Sequence, residues 1–410
     1  MLGRDELGHR SETVRRANLS AIVRELHVSG PSSRSDLVAH TGLTRSAIRA
    51  LIGDLVAGGL VTEAQGPLDG TPGRPSPLVR PNPHGAVVLG LEIAVDQLSA
   101  ATVGLGGEVI ETVRMDVQRG RTSVDDIATD LAELATTLRD RLPAQDALIG
   151  IGVAVVGVVR RSDGLVFMAP NLGWRDEPLG KRLAVAMRTT IPIALANESD
   201  LAVIAENRRG AARDVRNVVL LWGSVGVGGG VIIDGAPLTG VSGYGGEIGH
   251  MPVNPDGRPC RCGSIGCWES EVGGAALLRR AGYSPEGGAD AMAAVMRDAQ
   301  AGSTVALAAL AETGRWLGIG IAGLINILNP ELILLGGQLA PFYPFVRSTL
   351  EAELDRRALR ASRQVVRVTP ARIGMDAPLL GAAELAFEPL LADPAAWLGT
   401  RPSTNALVSA

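Results

Sequence analysis

A chain of 410 residues, 46% hydrophobic and 20% charged, has enough apolar material for two or three folded domains and is not a disordered polymer. Its net charge is −4, and its 3 cysteines, an odd number, argue against a disulfide framework. The opening "MLGRDELGHRSETVRR" is polar throughout, without the charged-then-apolar order of an export signal, so a soluble cytoplasmic protein with no membrane partner is expected.

Taken in chain order, residues 1–80 read as a separate unit. "ETVRRANLSAIVRELHVSG" has helical periodicity and stops at Gly30-Pro31. "SSRSDLVAHTG" predicts a short Ser-capped helix closed by Gly42. In "LTRSAIRALIGDLVAGGLV", Thr44 is the expected N-cap, and Ile48, Leu51, Ile52 and Leu55 form one apolar stripe. Arg45, Ser46 and Arg49 fall on the opposite face. Two short helices around a glycine turn, the second polar and basic at its start, fit a helix-turn-helix. "GLVTEAQGPLDGTPGRPSPLVRP" then suits a two-stranded wing, with Arg74 of "GRP" placed to enter a narrow minor groove. Ten arginines against eight acids give this unit a charge of +2, leaving −6 for the rest. Double-stranded operator DNA is the expected partner, with Arg34, Ser35, Thr44, Arg45, Ser46, Arg49 and Arg74 as its contacts.

From His84 onward, apolar strands alternate with tight glycine turns and intervening helices. "GAVVLGLEIAVDQLSAATVGLGGEVIETVRMDV" predicts a strand meander, and "NVVLLWGSVGVGGGVIIDG" a glycine-rich hairpin. The most apolar run, "WLGIGIAGLINILNPELILLGG", is broken by Asn326, Pro330 and Glu331, so a buried helix and strand are expected in place of a membrane span. All three cysteines fall within eight positions, Cys260, Cys262 and Cys267. A catalytic cysteine needs one thiolate and a base, whereas zinc needs four ligands, and His250 supplies the fourth. Three thiolates and one imidazole leave no open position, which predicts a structural zinc. Glu247 and Glu269 flank this loop, where a metal would fix both carboxylates to accept bonds from the hydroxyls of a sugar.

These motifs together resemble the ROK family (repressors, open reading frames and kinases), and its repressor branch in particular. The resemblance spans residues 11–387 and rests on "SRSDLVAHTGLTRSAIRALIGDLVAGGLV", "GRP", "APNLGW", "GGEIGH", "CRCGSIGCWE" and "LLGGQLA". It implies an α/β chain: a winged helix-turn-helix domain at 1–80, then a two-lobed actin-like ATPase (sugar kinase-like) domain at 81–390 with its zinc loop at 247–269, and a tail at 391–410. It also implies zinc ligands at His250, Cys260, Cys262 and Cys267, a sugar or sugar-phosphate effector held by Asn171, Asn197, Glu247, His250 and Glu269, and a homodimer or homotetramer.

Two departures separate this chain from the family's kinases. The kinase turn Asp-x-Gly-Gly-Thr corresponds here to "EIAVDQ", Glu92–Gln97, which lacks both glycines and the threonine that admit a nucleotide phosphate. The kinase pair Asn-Asp, whose aspartate is the base, is here Asn197-Glu198. "GSVGVGGG" at 223–230 keeps its glycines, which fits fold geometry as well as nucleotide binding. The expectation is a sugar-responsive repressor and no enzyme. The competing readings are an active sugar kinase with a DNA-binding appendage and a zinc-stabilised interaction protein that senses no sugar.

Overall fold

The computed structural model describes residues 4–64, 77–117, 123–143 and 146–400. At the N-terminus, helix α1 (Arg4–Ser29) runs into a two-residue strand β1 (Ser32–Ser33), α2 (Arg34–Thr41) and α3 (Arg45–Ala57). Ser33 and Asp36 cap α2 reciprocally, and Gly42 ends it at φ 69°. Thr44 caps α3 by accepting from the Ala47 N–H. Strands β2 (Val61–Ala64) and β3 (Leu78–Pro81) pair antiparallel, and β3 also takes β1, giving a three-stranded ribbon. Arg74 lies outside the described residues.

The first lobe is a five-stranded sheet in the order β11-β7-β4-β5-β6. Strands β4 (Val87–Ile93), β5 (Gln97–Gly104) and β6 (Val109–Asp116) form the expected meander. After helix α4 (Val124–Arg141), β7 (Leu148–Val155) joins β4 in parallel. A small ribbon of β8 (Val158–Arg160), β9 (Leu165–Ala169) and β10 (Trp174–Glu177) caps the cleft side. Helix α5 (Leu179–Ala186) then leads to β11 (Ile193–Asn197), parallel to β7.

Helix α6 (Glu198–Arg209) crosses to the second lobe, which repeats the same plan. Its sheet order is β14-β13-β12-β15-β16, built from β12 (Val218–Gly223), β13 (Val227–Ile233), β14 (Ala236–Pro237), β15 (Leu332–Gly337) and β16 (Arg367–Pro370). Helices α7 (Trp268–Val272), α8 (Gly274–Arg280), α9 (Gly288–Gln300), α10 (Thr304–Leu328), α11 (Tyr343–Arg357) and α12 (Arg360–Arg363) complete it. The apolar α10, long enough by composition to cross a membrane, instead buries Leu310, Leu317, Ile321 and Ile325 in this lobe's core.

The chain finally returns to the first lobe as α13 (Ala377–Ala392), followed by α14 (Pro394–Thr400). Glycines let α13 lie almost on the first sheet: a Cβ at Gly152 would stand 1.8 Å from the Ala382 carbonyl oxygen. On its other side α13 meets α6, where a Cβ at Gly381 would stand 1.9 Å from the Leu201 carbonyl oxygen. The two helices therefore form the layer between the lobes.

Packing crosses two of the expected boundaries. The expected separate unit shares one core with the first lobe: Leu19, Ile22, Leu26, Ile52 and Val79 pack with Val88, Val103, Leu379 and Phe387. The expected tail includes α14, which packs on α1, with Leu398 so near Gly58 that a Cβ there would stand 2.0 Å from its Cδ2. Proximity of apolar faces, not chain continuity, sets both limits.

Candidate functional site

The cysteine loop is shaped by backbone before any ligand enters it. Isolated bridges pair Pro252 with Cys267 and Pro259 with Ile265. Gly266, at φ 68°, passes so close to Asn254 that a Cβ would stand 1.6 Å from its carbonyl oxygen. Beneath the loop Trp268 is fully buried, its Nε1–H donating to the Trp316 carbonyl of α10 at 2.8 Å. This folding brings together ligand atoms of His250, Cys260, Cys262 and Cys267, all within 4.8 Å of one another. Cys262 Sγ lies 3.7 Å from Cys267 Sγ, and Cys260 Sγ 3.6 Å from His250 Nδ1. A tetrahedron with zinc–sulfur bonds of about 2.3 Å has edges of about 3.8 Å, so the four groups can hold one metal ion such as zinc. Burial and the neighbouring thiols push the Cys267 thiol up to about 12, which a bound cation would reverse.

Of the two carboxylates beside this quartet, Glu269 lines the cavity between the lobes, whereas Glu247, like Asn197 and His250, is not among its lining residues. Glu269 Oε2 accepts from the Val227 N–H at 3.1 Å, tying the loop to the β12–β13 hairpin. Burial raises the Glu247 carboxyl above its ordinary range, opposed by His250 and reinforced by Glu269. Asn171 Oδ1 accepts from Arg261 Nη1 at 2.6 Å. Asn197 is the N-cap of α6: its Oδ1 accepts from the Ser199 N–H at 2.7 Å, and its Nδ2 donates to the Gly157 carbonyl at 2.9 Å. A cavity of about 600 Å³ opens here, lined by Asn171, Ser224, Glu269, Arg258, Arg279 and Gln338 among others.

Three further acids escaped the sequence reading as a group. Burial pushes Glu198 up to about 7, against a hydrogen bond from the Ser224 hydroxyl at 3.0 Å. Burial, then the nearby Glu198, raises Glu92 to about 8. Asp200, buried and also raised by burial to about 7, meets Arg161 Nη2 at 3.2 Å. Glu92 and Glu198 stand in the altered kinase motifs, whereas Asp200 carries no sequence signal. Val95, in the turn that replaces the phosphate-admitting glycines, is buried at 6% exposure and lines the cavity. The retained glycines of the second turn have packing reasons of their own. A Cβ would stand 1.9 Å from Glu269 Oε2 at Gly226 and 2.1 Å from Ser199 Oγ at Gly228.

At the other end, α3 presents Thr44, Arg45, Ser46 and Arg49 to solvent, with Ser35 exposed on α2. Arg34, also expected to contact DNA, is paired within the N-terminal unit. Its Nε and Nη2 both donate to Glu63 on β2 at 2.8 Å, so it braces the ribbon to α2.

Two repeated α/β lobes with a cavity between them, lined in part by the Cys3His loop, give the chain a mixed α/β sugar-kinase-like fold. The chain belongs to the ROK family, whose profile matches residues 88–388. It is 27% identical to the xylose repressor of Bacillus subtilis (strain 168), over 92% of this chain and 97% of that one. It is 30% identical to a glucokinase of Streptomyces coelicolor, but over only 74% of this chain against 98% of that one. Among solved structures, a ROK family transcriptional regulator described as a homolog of the E. coli MLC protein matches with TM-score 0.74 and 26% identity. That match covers 94% of this chain and 97% of the other. A ROK family glucokinase from Streptomyces griseus, in complex with glucose and AMPPNP, matches with TM-score 0.64 and 26% identity, covering 73% of this chain and 99% of the other.

Proposed function

We propose that this chain is a sugar-responsive transcriptional repressor that binds operator DNA through a winged helix-turn-helix formed by α1–α3 and the β2–β3 ribbon. The carrying observation is coverage: a match over 92% of the chain must include most of the N-terminal unit, and the xylose repressor provides one. The glucokinase match stops at 74%. The exposed face of α3 supports the assignment, because Arg45, Ser46 and Arg49 stand on the side opposite its buried stripe of Ile48, Leu51, Ile52 and Leu55. Arg45 and Arg49 would read the major groove or its phosphates, with Arg74 reaching the minor groove.

The effector is a sugar or sugar phosphate held between the lobes by Asn171, Asn197, Glu247, His250 and Glu269. Zinc on His250, Cys260, Cys262 and Cys267 would supply rigidity to the loop carrying both glutamates. Phosphoryl transfer is not part of this function. The turn at Glu92–Gln97 carries Val95 where nucleotide phosphate needs open backbone, and Glu198 stands in for the kinase aspartate. A cytoplasmic homodimer or homotetramer is the working form, since lobe closure in an oligomer alters the spacing of two DNA-reading units. Sugar then releases DNA because it binds the DNA-incompetent arrangement more tightly.

The experiment is a gel-shift titration of full-length protein on a duplex selected by the protein from a randomised library, with D-xylose and D-glucose as probes. One sugar is expected to release the duplex, and Glu247→Ala to bind the duplex but not release it. Sugar-dependent ATP turnover, or DNA binding tightened by both sugars, would overturn the proposal.

A further inference from the structure

The junction between the N-terminal unit and the lobes contains a buried ionic cluster. His27, near the end of α1, is 0% exposed, and Glu384 on α13 is 2% exposed. Glu384 Oε2 lies 2.9 Å from His27 Nε2 and accepts from Arg208 Nη1 at 2.8 Å, while its Oε1 accepts from Arg209 Nε at 2.5 Å. Arg208 also bonds Glu388, which takes Arg24 of α1 at 3.1 Å. The Gly106 N–H donates to His27 Nδ1 at 3.0 Å, and His27 Nε2 faces both Glu384 Oε2 and Arg209 Nη2, each at 2.9 Å. Arg209 Nη1 donates to the Gly106 carbonyl at 2.7 Å and the His27 carbonyl at 3.3 Å. A Cβ at Gly107, in the same β5–β6 turn, would stand 2.0 Å from Arg209 Cζ, so only glycine lets the turn lie on the guanidinium.

Four elements meet in this cluster: α1, the β5–β6 turn, α6 and α13. Its surroundings are apolar, with the Phe387 ring centroid 4.9 Å from that of His27. Buried ion pairs are often no more stabilising than apolar residues of the same volume, but they admit one geometry and penalise its loss strongly. Helix α6 supplies the link to the cleft. It starts at Glu198, capped by Asn197, and ends at Arg209. Its 12 residues span about 18 Å. It packs on the second lobe's sheet and α13 on the first, so relative motion of the lobes would shear α6 along α13 and carry Arg208 and Arg209 past Glu384.

We infer that the Arg208–Arg209–Glu384–His27 cluster is the device that passes a rearrangement at the cleft end of α6 to the DNA-reading unit. The inference rests on the proposed sugar response. Its test uses full-length protein, the library-selected duplex, and whichever of D-xylose and D-glucose the wild type binds by calorimetry. Arg209→Lys keeps the charge but cannot reach Glu384, Gly106 and the His27 carbonyl together. His27→Gln keeps a donor toward Glu384 but gives Gly106 a differently placed acceptor. Both variants are expected to bind sugar alone and DNA alone within about threefold of wild type. The factor by which sugar weakens DNA binding should fall from about 10–100-fold to under about threefold. Melting temperature is recorded for each, and if one variant does not fold the other decides.

Folded variants that release DNA as wild type does overturn the inference while leaving the proposed function standing. A wild type that binds neither sugar, or binds one without loosening DNA, overturns both.

Discussion

Trp268 couples the metal loop to the core of the second lobe, and a double-mutant cycle with Gly320 tests that coupling. A fully buried indole removes about 200 Å² from water, worth about 5 kcal/mol at ~25 cal/mol per Å². Trp268 is fully buried and also donates to the Trp316 carbonyl, so Trp268→Ala is expected to cost about 3–5 kcal/mol. Gly320 on α10 makes room for the ring: an added Cβ would stand 2.1 Å from Trp268 Cε2. Gly320→Ala alone should therefore destabilise by about 1–3 kcal/mol through overpacking. In the Trp268→Ala background the methyl enters the vacated space, and alanine is the better helix former by about 1 kcal/mol. The sign of Gly320→Ala should reverse there. Urea unfolding of the four proteins, followed by far-ultraviolet circular dichroism, gives the interaction energy. Additivity within about 0.5 kcal/mol would refute the contact as the reason for glycine at 320.

Metal analysis should find one zinc per chain, and Cys262→Ser should lose it together with sugar binding, while α1–α3 stay folded by hydrogen exchange; wild type purified without metal would count against the quartet as a zinc site. Glu92, at an ordinary 4.5 when unfolded and about 8 when folded, binds a proton in the native state that the unfolded chain has released. The contribution of Glu92 should therefore be full below about 4.5 and decline as pH rises toward about 8, and Glu92→Gln should flatten that part of the profile; an unchanged pH dependence of the urea midpoint between these values in that variant would remove the assignment. Arg49→Ala should weaken duplex binding by about 1–3 kcal/mol if it reads a base, and affinity equal to wild type would take α3 out of the groove at that position.

Much of the local structure is legible because its causes are local. Ser33 and Thr44 cap their helices through amides three residues on, and Gly42 adopts the φ of 69° that its position after α2 calls for. The Cys3His quartet is equally short-range, apart from the separation of 10 between His250 and Cys260. What escaped the sequence depends on residues distant in the chain. The pairing of Arg34 with Glu63, 29 positions later, has no local signal. The "GSVGVGGG" run resembles a phosphate loop, yet its glycines at 226 and 228 yield to Glu269 and Ser199. His27 looks like any residue near a helix end, and its role needs Arg209 and Glu384, 182 and 357 positions away.

The shared core beneath α1 limits how freely the N-terminal unit can be exchanged. Leu19, Ile22 and Leu26 are packed against Leu379, Phe387 and Leu390 as one body, and Ser20 bonds the Leu391 carbonyl at 2.6 Å. A chimera joined at residue 81 would therefore inherit two half-interfaces from different parents. Grafts that carry α1 together with the matching faces of α13 and α14 keep the seam native. Under the proposed function, swaps confined to α2, α3 and the ribbon would retarget the operator without touching that seam.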